Sequence, residues 1–397
     1  MSRFHSYINS AKILIETFEG DKPFAVFLKQ FFAANKKYGA GDRRNISSLC
    51  YDYFRLGFAS KDIPIQQRML LAAFLCESER SAVLENLKPE WNNQVTLPLY
   101  EKLVLVGSDF NLTDIFPFQN ELSNGIDREQ FCLSFLMQPA LFIRIRPQTR
   151  LTVLKKLNRC KLTWQFAGED CVQLTNSDKL EDYFVLDKEV VVQDYNSQKV
   201  LDYLKKPHLP IGPPQINSKS SLQVWDCCAA SGGKSVLLKD IINRKIDLTV
   251  SDIRATIILI LHQRFKKAGI KEYKYFIADI TASDARPMEG KFDLIICDAP
   301  CTGSGTWSRT PEQLCFFKQP TILEYSELQM KIVSHTFPHL NSDGLFVYIT
   351  CSVFKNENEL IATFIEDNFS CKLLHMQLLK GYDAKADNMF VAVFRKT

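Results

Sequence analysis

The C-terminal half of the chain is predicted to be an α/β domain built on a doubly wound sheet, behind an all-helical N-terminal region and a small α+β segment. Three observations predict this. From Gln223 onward strand-like and helix-like runs alternate, the pattern of a parallel sheet with helices on both faces. Residues 1–125 instead carry apolar residues at helical spacing. Residues 130–206 read as short strands around one amphipathic helix. The expected domains are therefore 1–125, 130–206 and 207–397.

The totals suit such a chain. Its 397 residues are enough for two or three domains, and 46% hydrophobic against 24% charged residues is an ordinary globular composition. With 49 basic and 45 acidic residues, bulk charge argues neither for nor against a nucleic-acid partner. The first residues lack the apolar core of a signal peptide, and no apolar run reaches membrane-spanning length, so a cytoplasmic location is expected. The twelve cysteines form neither a disulfide framework nor zinc knuckles, so free thiols and no metal are expected.

In chain order, helices are expected over Ile8–Phe18, Phe24–Phe32, Ile46–Phe58 and Ile65–Cys76. Asp42, in Gly41-Asp42-Arg43-Arg44, is the expected helix cap, and Lys36, Lys37, Arg43 and Arg44 are candidate phosphate contacts. Leu97–Asn124, polar and broken by Pro and Gly, is read as a link between domains. Strands follow near 140–147, 162–166, 171–174 and 190–192, with a helix near 151–157. Seven basic residues and no acidic one lie between Arg144 and Lys161, a second candidate RNA-contacting face. Pro207–Pro214 punctuates the chain before the last domain, whose final two strands are expected to pair as an antiparallel edge hairpin.

Candidate site residues cluster at strand ends. Val224-Trp225-Asp226 runs into Cys227-Cys228-Ala229-Ala230-Ser231-Gly232-Gly233-Lys234, a strand handing over to a helix through a glycine turn that can offer backbone N–H groups to a ligand. Asp252 closes the second strand, where a carboxylate can accept ribose hydroxyls; Asp279 is read as closing the third, within reach of an adenine amino group. A fourth strand delivers Asp298-Ala299-Pro300-Cys301, and a fifth delivers Thr350-Cys351-Ser352, so two cysteines are expected to face one crevice.

Asp-x-Cys-Ala-Ala-x-Gly-Gly-Lys, Asp-Ala-Pro-Cys-x-Gly-x-Gly and Thr-Cys-Ser, in this order, resemble the RsmB/Sun-type RNA cytosine-5 methyltransferases. Val192-Gln193-Asp194, Arg309-Thr310-Pro311-Glu312 and Asn356-Glu357-Asn358-Glu359 extend the resemblance over about 190–397. It implies a Rossmann-like class I methyltransferase domain with a seven-stranded sheet, a ferredoxin-like RNA-contacting module before it and a NusB-like helical domain at the N-terminus. It also implies S-adenosylmethionine as cofactor, RNA as partner and a monomer. Cysteine 351 would be the nucleophile toward carbon 6, Cys301 would assist release, and Asp298 and Lys234 would attend the base. The cofactor would meet Cys228, Ala229, Ala230, Ser231, Gly232, Gly233, Lys234, Asp252, Arg254, Asp279 and Asp298.

Small-subunit ribosomal RNA is the substrate the resemblance implies, with transfer RNA as the alternative. A DNA methyltransferase would use the Pro-Cys thiol as nucleophile, and the additional Thr-Cys-Ser cysteine speaks against it. A catalytically silent assembly factor would have no need of both thiols. Departures from the family pattern are Ser231 for proline, Thr302 for serine, Arg146-Pro147 for an asparagine-containing end, and Asn388-Met389 for Gly-Phe.

Overall fold

A computed structural model describes residues 3–107, 110–175, 179–205, 221–282 and 290–397; the Pro207–Pro214 punctuation lies outside them. By packing, the chain forms two compact units. One comprises 1–120, 126–139 and 306–319; the other comprises 121–125, 140–305 and 320–397.

In the first unit, helices α1 (Arg3–Thr17), α2 (Phe24–Ala34), α3 (Ala40–Arg55) and α4 (Ile65–Cys76) follow the apolar spacing of the sequence. Three of them place Leu14, Phe24, Ile46 and Phe54 in one core. Helix α3 begins at Ala40 rather than at Asp42. Asp42 sits in its first turn and accepts the Gly39 N–H at 2.8 Å, so it braces the start of the helix without being its cap. Hydrogen bonds from Tyr7 and Arg3 hold its carboxyl down at about 2. Short helices α5 (Ala82–Leu87), α6 (Pro89–Gln94), α7 (Leu99–Val106) and α8 (Arg128–Phe135) complete the set among the described residues of 3–139.

The stretch read as a link, Leu97–Asn124, is largely structured. It contains α7, and Ile115 and Phe116 are fully buried. Its Pro and Gly residues drew attention from four core residues, Val106, Phe110, Ile115 and Phe116, and Pro98 sits just ahead of α7, where a missing N–H costs nothing. Segment 306–319 packs in this unit too: Glu312 accepts the Phe24 N–H at 3.3 Å, and the Phe316 ring lies 5.2 Å from that of Phe18.

The second unit holds two sheets. Strand β1 (Leu141–Ile145), helix α9 (Arg150–Leu157), and strands β2 (Trp164–Phe166), β3 (Cys171–Leu174) and β4 (Val190–Val192) form a four-stranded antiparallel sheet in the order β2-β3-β1-β4. The chain continues through β5 (Leu222–Asp226), α10 (Gly233–Ile241), β6 (Ile246–Asp252), α11 (Ala255–Ala268), β7 (Lys274–Ile277) and β8 (Phe292–Asp298). After α12 (Glu312–Phe316) in the helical unit come α13 (Thr321–Thr336), β9 (Leu340–Thr350), α14 (Glu359–Asn368), β10 (Cys371–Leu379) and β11 (Met389–Lys396).

The described strands order as β10-β11-β9-β8-β5-β6-β7, seven in all. Strands β5 to β9 pair in parallel and β10–β11 closes the edge antiparallel. Alternate residues of the central strands face opposite layers: Val224, Leu294, Ile296 and Val347 pack against α10 and α11, while Trp225, Ile295, Phe346 and Tyr348 pack against α13 and α14. A sheet buried on both faces needs such continuous apolar strands, and polar residues then surface at the strand ends. Because β5 sends one connection to β6 and is flanked on its other side by β8, the order reverses there, which opens a crevice at their carboxyl ends.

Four of the seven clustered basic residues are spent on ion pairs. Arg144 and Arg146 both reach Asp240 of α10, at 2.6 and 2.7 Å, with all three side chains nearly buried. Arg150 pairs with Asp170, and Lys156 meets Glu189 at 2.6 Å. Arg144 and Arg146 thus tie the small sheet to the large one, which removes these two from the candidate RNA-contacting face.

Candidate active site

The glycine loop leaves β5 at Asp226 and turns through left-handed conformations at Ala230 (φ +46°) and Gly232 (φ +84°). At Gly232 a Cβ would come within 2.4 Å of the Phe265 ring, so both the backbone angle and the close packing require glycine. Ser231, which stands where the family pattern has proline, accepts a hydrogen bond from Arg264 at 3.2 Å, and Arg264 also pairs with Asp187 at 2.7 Å.

Asp226 is fully buried and accepts the Ser235 hydroxyl at 2.6 Å on one oxygen, while its other oxygen has no partner. Burial, against the Ser235 bond, pushes its carboxyl up to about 7. Asp252, at the end of β6, accepts the Ala230 N–H at 3.0 Å, which fixes the loop to the neighbouring strand. It also accepts the Arg254 side chain at 2.9 and 3.1 Å. Burial would raise the Asp252 carboxyl, but the hydrogen bonds from Arg254 and Ala230 outweigh it and hold it below its ordinary value.

Asp279 does not end a strand. Strand β7 stops at Ile277, and exposed Asp279 accepts the Thr281 N–H and hydroxyl at 2.9 and 2.7 Å in the following turn. The β-rich sequence ran past the last ladder partner, because β7 is an exposed edge strand whose end is set only by its pairing with β6.

Strands β8 and β9 bring the two thiols together. Register pairs Asp298 with Ile349, so the turns that follow open side by side. The Sγ atoms of Cys301 and Cys351 lie 3.4 Å apart. Lys234, from the first turn of α10, donates to Asp298 at 2.8 Å. Burial would lower the Lys234 ammonium, but Asp298 and, less strongly, Cys351 raise it above its ordinary value, so it carries a positive charge beside the thiols. The Cys301 thiol is raised well above its ordinary value, first by its hydrogen bond to Cys351 and then by burial.

Glu357, which the sequence showed only within a motif, is the hub of these turns. It is fully buried and accepts hydrogen bonds from the Thr302 N–H (2.9 Å), the Thr302 hydroxyl (2.6 Å), the Ser352 hydroxyl (2.6 Å) and the Gln329 amide (3.0 Å). Thr302 and Ser352 each follow one of the two cysteines, so a single carboxylate holds both turns. Gly305 completes the frame: its N–H donates to the Cys351 carbonyl at 2.8 Å, and the Asn388 N–H donates to its carbonyl at 2.9 Å. Asn388, a departure from the family pattern, is buried and accepts the Gly381 N–H at 2.8 Å, so it braces this frame.

The parallel sheet with a closing hairpin and a glycine loop at its reversal point defines a Rossmann-like class I methyltransferase domain. Within that class, residues 215–394 match the family model described as 16S rRNA methyltransferase RsmB/F. That segment is similar to the RsmB/F methyltransferases, and S-adenosylmethionine is the cofactor this similarity supports.

Over 252 residues the chain is 26% identical to the probable ribosomal RNA small subunit methyltransferase B of Bacillus subtilis, which covers 60% of this chain and 52% of that protein. Over 190 residues it is 31% identical to ribosomal RNA small subunit methyltransferase B of Shigella sonnei, which covers 46% of this chain and 40% of that protein. The chain thus spans about half the length, or less, of these curated relatives. The crystal structure of PH0851 is alike in fold, with a TM-score of 0.71 at 18% identity and 98% of each chain covered.

The residues at the crevice fit the cofactor. A buried carboxylate oxygen of Asp226 lacks a partner at the start of the loop, and Asp252 ends the next strand, where acidic side chains accept ribose hydroxyls. No helix among the described residues is long and apolar enough to cross a membrane.

Proposed function

We propose that this chain methylates carbon 5 of a cytosine in RNA, with small-subunit ribosomal RNA as its substrate. The observation that carries the reading is the 3.4 Å separation of Cys301 and Cys351 beside the Lys234–Asp298 pair. The names of the relatives from Bacillus subtilis and Shigella sonnei support the RNA class.

Carbon 5 of cytosine is a weak nucleophile. Addition of the Cys351 thiolate to carbon 6 converts the ring to an enamine nucleophilic at carbon 5, which splits one difficult step into two easier ones. When bound, S-adenosylmethionine supplies an electrophilic sulfonium methyl group. Loss of the carbon-5 proton then lets the Sγ–C6 bond break, which returns the electron pair to Cys351.

The coupling of the two thiols supports this assignment of roles. In the free site Cys301 keeps its proton, because its hydrogen bond to Cys351 and its burial raise the thiol well above its ordinary value. Once Cys351 is bonded to carbon 6 that hydrogen bond is no longer available, and Cys301, after releasing its own proton to solvent, can accept the carbon-5 proton. Asp298 hydrogen-bonds the base edge, and the Lys234 ammonium favours the thiolate form nearby. The target base must leave its stack to reach such a crevice. Cofactor contacts come from Cys228 to Lys234, Asp252 and Arg254.

Bisulfite sequencing of total RNA from cells with and without the gene tests the reading. Methylation at one or a few small-subunit ribosomal cytosines is expected to vanish with the gene. Loss confined to transfer RNA would redirect the substrate, and an unchanged pattern would refute the activity.

A further inference from the structure

Beside the proposed active site lies a group of thiols that take no part in the bond-making steps, although Cys228 belongs to the loop proposed to meet the cofactor. Register pairs Asp226 with Ile296 on parallel strands β5 and β8, so Cys227 and Cys297 stand at matching positions one residue further on. The Cys227 N–H donates to the Ile296 carbonyl at 3.0 Å. Both cysteines are buried in the same apolar layer, and half-buried Cys228 packs against it. The three sulfurs lie within 4.8 Å of one another.

Apolar packing accounts for any one buried thiol. It does not account for three that converge from strand β8 and the loop that leaves β5. We propose that Cys227, Cys228 and Cys297 form a three-thiolate site for a soft monovalent cation of the copper(I) class. Thiolates select copper(I) and zinc over harder ions. Metal–sulfur bonds of about 2.3 Å place the sulfurs of a trigonal site roughly 4 Å apart, so these side chains need little movement.

Zinc in a structural site takes four protein ligands. No fourth His, Cys or carboxylate atom joins this group among the described residues, which favours a three-coordinate ion. Cys228, in the glycine loop, gives the ion its route in, and binding releases the thiol protons to solvent. Sequence spacing gave no hint of the group, because Cys297 comes from a strand distant in the chain.

The test uses the reduced full chain carrying Cys301→Ser and Cys351→Ser, which removes the other thiol pair, titrated anaerobically with copper(I) against bicinchoninate. The chain is expected to withdraw a single equivalent of copper(I) from the competitor, with three sulfur neighbours by X-ray absorption. Adding Cys297→Val should abolish this uptake, and Cys227→Ala should do the same if valine disturbs the fold as judged by circular dichroism. No uptake, a two-sulfur shell, or uptake undiminished in a folded variant would overturn the proposal.

Discussion

Glu357 accepts both the backbone N–H and the hydroxyl of Thr302, at 2.9 and 2.6 Å, while it also holds Ser352 at 2.6 Å. One carboxylate thereby sets the separation of the turns that carry Cys301 and Cys351. Glu357→Gln keeps the volume but replaces one acceptor oxygen with a donor, so at least one of these bonds is lost. Displacing a reacting group by about 1 Å can cost roughly 10²-fold in rate. The variant is expected to lose about that much in kcat with little change in KM for RNA, measured by steady-state methyl transfer.

Asp226 makes stability fall as pH rises. Its folded pKa of about 7 lies above the ~3.9 of an unfolded aspartate. Between those values the folded chain binds the extra proton, so this group's stabilisation is complete below about pH 4 and is lost as pH rises through 7. Asp226→Asn removes the dependence. Denaturant unfolding between pH 5 and 8 should show a falling midpoint in the parent chain and a flatter one in the variant.

The Arg144–Asp240–Arg146 cluster predicts a large loss of stability. Asp240→Ala leaves two nearly buried guanidinium groups without their carboxylate. Removing one partner of a buried pair costs about 3–5 kcal/mol. Urea unfolding checks it, and a loss below about 1 kcal/mol, the range of exposed pairs, would mean the cluster is solvated.

Gly305→Ala should fail for a steric reason. Its Cβ would lie 2.2 Å from the Asn388 carbonyl oxygen and 2.8 Å from that of Cys351, both backbone atoms with little freedom to yield. The expected outcome is loss of methyl transfer together with destabilisation of about 1–3 kcal/mol, read by activity assay and thermal melt.

Much of the second unit was legible in the sequence, because a doubly wound sheet writes itself as apolar runs ending in polar residues. Asp226, Asp252 and Asp298 stand at strand ends for that reason, and adjacency of β8 with β9 follows from their order. Long-range partnerships were not legible. Nothing local to Arg144 or Arg146 says that Asp240 neutralises them, and nothing local to Glu357 says that it joins two distant turns. The limit of β7 short of Asp279 depends on an exposed edge, and the burial of 306–319 in the helical unit depends on phenylalanines 18, 24 and 54 far upstream.

The division of labour between the two sulfurs is tested most directly by incubating Cys301→Ala and Cys351→Ala chains with substrate RNA and S-adenosylmethionine, then resolving protein from RNA under denaturing conditions. The Cys301→Ala chain should remain covalently joined to methylated RNA, whereas the Cys351→Ala chain should form no adduct and transfer no methyl group. Turnover by Cys351→Ala, or an adduct trapped through Cys301, would contradict the account.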